Sequence, residues 1–485
     1  MSVLNLNNEL KNGILISAIG KYSNLIIQFI LLAILSRLLT PHEFGVVAIV
    51  NVFLVFFTML IDMGIGPAII QNKTLTDQQV NSIFSFTILL SIILSILFAL
   101  MAKPIALFYN NTHLFSVSLI MSLALLTSGL NMVPQSILLK QKRFLEVNFA
   151  QVFSSLLSGI VGCVLAFNNF SYYALIVSVI VKNTAMFVII FHKAKLKVTR
   201  KIEKKDLKAI YSFSKNQFLF NLINYFSRNL DNILIGKFIS TSALAYYDKA
   251  YTLSLYPNQI LTNVITPVVQ PIMSEYEDQK DIIKKTYLSL SKILALLGMP
   301  LTVFLVFSSK EIIYILFGLQ WGGSIEIFKI LAISVWIQMI LSSTGAIFQS
   351  TNRSDLLLIS GILSAILNVG SILVGIWTGK IEYLAIILVV SFSINFIQAN
   401  YLLMIKVFQS QQLEFYKNLL EPFLISIMVF VPLFAIQIFM HNYPLFFVFV
   451  IKSLISLIVF IIGMNLTGNM NFIKGILKRG KDEIN

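Results

Sequence analysis

The sequence predicts an all-α polytopic membrane protein of about fourteen transmembrane helices. Three observations predict it. Apolar residues make up 57% of the 485 residues while charged residues make up only 12%, about half the charge of a soluble domain. Mean hydropathy is +0.85. The apolar residues also arrive in unbroken runs of about 20, the length that crosses a bilayer as a helix.

Spans are expected at 14–38, 43–69, 81–101, 113–133, 148–167, 170–192, 214–239, 243–271, 286–308, 325–349, 354–377, 381–405, 420–440 and 443–467. The first run is too long for the apolar core of a signal peptide, so it reads as a retained helix. Between the ninth and tenth spans, Ile312–Phe317 reads as a short re-entrant or interfacial piece. Phe317, Trp321 and the Gly322-Gly323 pair there suit a turn at headgroup level. Pro67, Pro267 and Pro271 are expected to interrupt the second and eighth spans.

Lys and Arg set the orientation. With the N-terminus inside, the outer loops hold only Arg37, Lys103, Lys237, Lys310 and Lys380, whereas the inner segments hold 24 Lys and Arg. That bias places both termini in the cytoplasm. It also accounts for the net charge of +15. No basic stripe interleaved with aromatics lies outside the spans, so nucleic-acid binding is not expected. Cys163 is the single cysteine, which excludes an internal disulfide or a CxxC metal motif and leaves a small core side chain.

The chain divides into a six-helix lobe (1–192), a basic cytoplasmic linker (193–213), a second six-helix lobe (214–405), and a region with spans 13 and 14 and a basic tail (406–485). A shift of 200 residues supports the division. Ile34-Leu-Ser-Arg37-Leu-Leu-Thr-Pro41 falls on Leu234-Ile-Gly-Lys237-Phe-Ile-Ser-Thr241, and Pro67 on Pro267. Six helices per half give both halves one orientation, a parallel repeat.

At Arg37-Leu-Leu-Thr-Pro41-His-Glu43-Phe-Gly45 the sequence resembles bacterial polysaccharide (Wzx-type) flippases. Ser227-Arg228-Asn-Leu-Asp231-Asn232 and Tyr247-Asp248-Lys249-Ala-Tyr251 followed by Pro257 agree with that family. It belongs to the multidrug/oligosaccharidyl-lipid/polysaccharide exporter superfamily. The resemblance implies two lobes forming a V around a central cavity in a bacterial cell membrane. It implies a polyprenyl-pyrophosphate-linked oligosaccharide moved from the cytoplasmic to the outer leaflet by alternating access. Membrane lipids and other polysaccharide-assembly proteins are the expected partners, and a monomer the expected state. No catalytic residue, metal or bound cofactor is expected.

Charges inside spans are rare and mark function by default. Lys21, Lys182, Arg228 and Lys249 form the candidate cationic site for a pyrophosphate, whose several charges need Lys or Arg once out of water. Lys21, Arg228 and Lys249 lie in spans that line the cleft if the family architecture holds. The alternatives stay open: Lys21 and Lys249 snorkel to an interface, Lys182 packs between helices, and Arg228 pairs with Asp231. Lys292, Lys329 and Lys452 are expected to snorkel or pair locally, as Lys329 does with Glu326. Asn221, Asn224 and Asn232 give the seventh span a polar face. Asp231 and then Asp62 are the candidates for H⁺ or Na⁺ coupling, with Asp62 also suiting a helix end near Gly64 and Gly66.

Other functions fit less well. An ATP-driven pump needs GxxxxGK[ST], which is absent. A membrane polymerase or glycosyltransferase needs clustered acids or histidines on large loops. His42, His113, His192 and His441 are scattered, and Glu275, Glu277, Asp278 and Asp281 are interleaved with lysines. An ion-coupled drug or small-molecule exporter of the same superfamily favours acids and aromatics over the Lys and Arg seen here.

Overall fold

In hydrocarbon no water satisfies backbone N–H and C=O groups, so a chain this apolar must close its hydrogen bonds within helices. In the computed structural model every element among the described residues is a helix. The description covers residues 3–72, 74–199, 206, 218, 221–222, 225–226, 229–274, 276–277 and 279–472, with the side chains of 3–18, 261–272 and 274 left aside. Two compact units emerge, Met1–Ala245 and Tyr246–Asn485. The expected linker, 193–213, lies mostly outside the described residues.

The first unit contains α1 (Val3–Leu38), α2 (Pro41–Asp62), α3 (Ile65–Gln71), α4 (Asp77–Leu100), α5 (Ala102–Tyr109), α6 (His113–Lys140), α7 (Phe144–Phe167) and α8 (Tyr173–Ala194). It also contains a helical run over 229–238 and the start of α9 (Thr241–Ser274). The second unit continues with α10 (Lys280–Phe307), α11 (Ser309–Phe317), α12 (Ser324–Ala332), α13 (Val335–Ser350), α14 (Ser354–Trp377) and α15 (Ile381–Tyr401). A π-helical turn over Leu402–Val407, α16 (Gln412–Lys417), α17 (Leu420–Phe439) and α18 (Leu445–Leu466) follow, and residues 469–472 are again helical.

Among the described residues eleven helices are long and apolar enough to cross a membrane, or twelve if α12 and α13, bent by 52°, count as one span. The seventh expected span, 214–239, lies largely outside the described residues. The eighth is present as α9 but is not among the eleven. The protein is multi-pass, and among these spans α14 and α18 are the least buried, each with 11% of its apolar window buried.

The turn that carries the family motif is built by capping. Thr40 is the N-cap of α2: its hydroxyl accepts from the Glu43 N–H, and the Glu43 carboxylate accepts from the Thr40 N–H at 2.6 Å. This reciprocal box satisfies two amides that lack helical partners. Pro41 occupies the first helical position, where no N–H is needed. Two hundred residues on, the Ser240 hydroxyl accepts from the Ala243 N–H at 3.0 Å. The Leu39 to Leu35 and Phe44 to Thr40 backbone bonds recur as Ile239 to Ile235 and Leu244 to Ser240. The repeat seen in the sequence therefore reproduces the local hydrogen bonding, although Ala243 supplies no carboxylate to complete the box. Gly45 has a separate reason: a Cβ there would lie 2.0 Å from the Thr241 carbonyl oxygen, so α2 approaches the start of α9 through a missing side chain.

Two expectations about prolines fail. The second span breaks at Met63 and Gly64, which both take left-handed backbone angles, and not at Pro67. Pro67 sits in the first turn of α3, where its missing N–H costs nothing. The helix α9 runs unbroken through Pro267 and Pro271 to Ser274.

Gly45→Ala should lower stability by about 1–3 kcal/mol through overpacking. Gly345→Ala, with no atom within 4 Å of the added Cβ, should be neutral or slightly stabilising. Thermal unfolding of the detergent-solubilised protein checks both; equal midpoints for the two variants would contradict the close approach.

Candidate functional site

Lys249 lies on the exit of the first turns of α9 and is 5% exposed. What covers it is the segment expected at headgroup level. After α11, Gly318 adopts φ 99°, a left-handed angle open to glycine, and the chain doubles back through a 3₁₀ turn, Leu319–Trp321. That reversal brings two rings over the ammonium. Lys249 Nζ stands 5.5 Å from the Trp321 ring centre and 5.8 Å from that of Phe317, within cation–π range. The turn falls where the sequence placed it, between α11 and α12, and Phe317 and Trp321 are buried there within the unit.

The segment is pinned from α9. Ser324 Oγ donates to the Tyr246 carbonyl at 3.0 Å, and Tyr246 meets Trp321 edge-on at 6.1 Å between ring centres. Tyr247 and Tyr251 stack at 5.5 Å one turn apart. A Cβ on Gly323 would lie 2.7 Å from the Tyr246 ring, so glycine is needed for this closure. The result is a buried cation beneath π faces, with the carboxylate of Asp248, the preceding residue, interacting with it electrostatically.

A second buried charge was assigned wrongly by the sequence. Lys452, expected to snorkel or pair locally, is fully buried and bonded to residues far away in sequence. Its Nζ donates to Glu311 Oε1 at 2.8 Å, to Gln437 Oε1 at 2.8 Å and to the Phe307 carbonyl at 2.6 Å. An ammonium has three donors, and all three are used. The ion pair joins α18 to α11, with relative side-chain exposures of 0% and 8%. Lys292 also pairs at a distance, with Glu421 at 2.7 Å. Lys329 pairs locally with Glu326 at 3.3 Å, as expected.

The other sequence candidates are placed as follows. Lys21 is exposed on α1. Lys182 is half-buried on α8, beside Asn183, whose side chain donates to the Ala124 carbonyl and whose own carbonyl accepts from Asn131. Arg228 and Asn224 lie outside the described residues. Asn221 and Asn232 are half-buried. Asp231 is buried, and its carboxylate accepts from the Asn232 N–H at 2.8 Å. Near it, the Tyr225 hydroxyl donates to the Val52 carbonyl at 2.8 Å, and that of Tyr109 to the Ile233 carbonyl at 3.2 Å, tying the seventh span to α2 and α5. The Asp62 carboxylate accepts from the Gly66 N–H at 3.4 Å across the break before α3, the helix-end arrangement. Arg37 is exposed, while Pro41 and Gly45 are buried at the capped turn. Among the described residues no group of three His, Cys, Asp or Glu could hold a metal ion.

A family profile described as "Polysaccharide biosynthesis protein" matches residues 34–326. The chain is similar to the teichuronic acid biosynthesis protein TuaB of Bacillus subtilis, 25% identical over 444 residues and covering 91% of each chain. It is also similar to the lipopolysaccharide biosynthesis protein WzxC of Escherichia coli, 20% identical over 439 residues, covering 90% of this chain and 89% of that one. Among solved structures, the lipid II flippase MurJ in an inward closed conformation superposes with a TM-score of 0.76 at 15% identity, covering 94% of this chain and all of that one. An inward-facing MATE family multidrug resistance transporter of the MOP superfamily gives a TM-score of 0.60 at 14% identity, covering 83% and 98%. At these identities the structural likeness speaks for the fold.

Lys452→Ala should destabilise the protein by about 3–5 kcal/mol, because it leaves Glu311 buried and uncompensated. Lys329→Ala should change stability by less than about 1 kcal/mol, since its pair is exposed. Unfolding midpoints in detergent check the contrast, and equal losses would contradict the burial argument.

Proposed function

The chain belongs to the polysaccharide biosynthesis protein family, and from that premise we propose that it is a flippase for polyprenyl-pyrophosphate-linked oligosaccharides. It moves their head groups from the cytoplasmic to the outer leaflet of a bacterial cell membrane, by alternating access, for synthesis of a surface polysaccharide. It is a transporter and not an enzyme. Both termini are cytoplasmic, as the Lys and Arg bias supports.

The observation that carries the reading is a family match over 34–326 joined to buried or half-buried cations in an otherwise apolar chain. Lys249 beneath Trp321 and Phe317 is the best defined of these. A desolvated ammonium attracts a pyrophosphate far more strongly than one in water, because the local dielectric is low. An anion attracts the ammonium more strongly than the aromatic faces do. Lys182, Arg228 and Lys21 are the further cations that act on the head group. Asn221, Asn224 and Asn232 offer amides to sugar hydroxyls. The two similar relatives are named for teichuronic acid and lipopolysaccharide biosynthesis, and both names fit a sugar-polymer precursor better than a drug.

The test is reconstituted transport. Proteoliposomes receive a fluorescent polyprenyl-pyrophosphate oligosaccharide, and an impermeant quencher reads the leaflet it occupies. Wild type and Lys329→Ala should move it at equal rates. Arg228→Ala and Lys249→Ala should insert normally and lose at least about tenfold in rate, the equivalent of one lost charge-assisted contact. Transport of a cationic drug in place of the lipid, with unchanged activity in both cation variants, would favour the drug-exporter reading.

A further inference from the structure

Gln28 and Asn51 are carboxamides that stand open deep inside spans of the first unit. Gln28 is at the middle of the apolar stretch Ile19–Leu38 of α1, about 14 Å from either end at 1.5 Å per residue. Asn51 lies ten residues past the start of α2, about 15 Å along it. Both depths fall near the middle of a hydrocarbon layer about 30 Å thick. Both side chains are exposed, and neither amide has a hydrogen-bond partner among the described residues. Asn24 is different: it is half-buried on α1 and accepts from the Ser155 hydroxyl at 2.7 Å, which makes it a helix-packing amide.

The two exposed sides of α1 meet different media. Ile19, Ile26, Ile30 and Ile34 are exposed along one side, as on a lipid-facing stripe. Gln28 lies about 160° round the helix from both Ile26 and Ile30, and the exposed Lys21 shares its side, seven residues back. A carboxamide turned to hydrocarbon leaves its donors and its acceptor unmet, so that side of α1 faces water. On α2, Asn51, Val55, Thr58 and Asp62 recur at spacings of four, three and four, which is one face of a helix. Asn51 and Val55 are exposed there, and Thr58 and Asp62 half-buried. The seventh span passes beside α2. The Tyr225 hydroxyl donates to the Val52 carbonyl at 2.8 Å, and a Cβ on Gly236 would lie 3.1 Å from the Ile49 side chain. Asn232, of the polar face, lies between those two contacts in the chain.

We propose that Gln28 and Asn51 read the sugar part of the head group, from an aqueous space that reaches mid-membrane depth along α1 and α2. This rests on the flippase reading and names sugar-selecting residues within it. A carboxamide donates through its NH₂ and accepts at its oxygen, so it pairs with a hydroxyl, which does both. An ammonium only donates, and suits the charged phosphates. Lys21 and Gln28 stand about 10 Å apart along one side of α1. A head group with its phosphates at Lys21 therefore carries its sugars past Gln28.

Two measurements on the full-length protein provide the test. With Cys163→Ala as background, Gln28→Cys and Asn51→Cys should react with a membrane-impermeant thiol reagent in open membranes, and Ile26→Cys should not. Equal reactivity of all three, or no reaction at Gln28→Cys and Asn51→Cys, overturns the aqueous face and the proposal. Binding is then measured with two probes, a polyprenyl pyrophosphate carrying an oligosaccharide and the same lipid without sugar. Gln28→Leu and Asn51→Leu should each weaken binding of the first by about three- to tenfold, the fold-change of one neutral hydrogen bond. Binding of the second should be unchanged, which also shows that the variants have folded. Equal weakening for both probes, or none for either, overturns the proposal and leaves the flippase reading intact. Wild-type protein that binds neither probe overturns the flippase reading, and this assignment with it.

Discussion

A charge inside a lipid-spanning helix must meet a partner, a π face or a path to water, and the interior of this protein is arranged around that requirement. The first two solutions are visible. Lys452 spends all three of its hydrogens on Glu311, Gln437 and the Phe307 carbonyl. Lys249 lies under Phe317 and Trp321. Lys292 reaches Glu421. Because each solution ties distant elements together, a few charges fix how apolar helices pack when apolar contact alone says little in lipid. The pair Lys452–Glu311 attaches α18 to α11; beside it, Val429, Leu433, Ile436 and Val448 form an apolar cluster.

The same rule applied to the backbone explains the helix ends. Thr40 and Ser240 cap equivalent turns 200 residues apart with the same hydroxyl-to-amide bond. Such a correspondence was legible in the sequence because capping depends on a side chain within three residues. Eleven or twelve of the spans were legible too, since their length and apolarity are local properties. Two things were not. A helix that breaks at Met63 and Gly64 was attributed to Pro67 because proline is the usual breaker, whereas a proline in a first turn breaks nothing. The partners of Lys452 were out of reach, because Glu311 lies 141 residues away and no local pattern joins them. Lys452 was accordingly expected to snorkel or pair locally.

The candidate site was half legible. Lys249 stood out as a cation in a span, and Asp231 and Asn232 as polar groups on one helix, but nothing in the sequence linked Lys249 to Trp321 and Phe317. Those rings were read as an interfacial turn, since tryptophan near a glycine pair has that meaning more often. Only the reversal at Gly318 places them over the ammonium. A buried cation beneath aromatic faces suits a phosphate-bearing head group that has left water, the kind of head group that the proposed function assigns. The capped turn at Pro41 and Gly45 serves a different purpose. It sets the close approach of α2 to the start of α9, so the residues that mark the family are residues of architecture.

The central claim is that this chain carries a lipid-linked oligosaccharide across the membrane. The most direct measurement is the sidedness of that lipid in host cells with and without the protein, read by a membrane-impermeant probe of the outer leaflet. The account predicts that the precursor accumulates in the inner leaflet without the protein and reaches the outer leaflet when the protein is restored. Equal outer-leaflet precursor in both strains would contradict it.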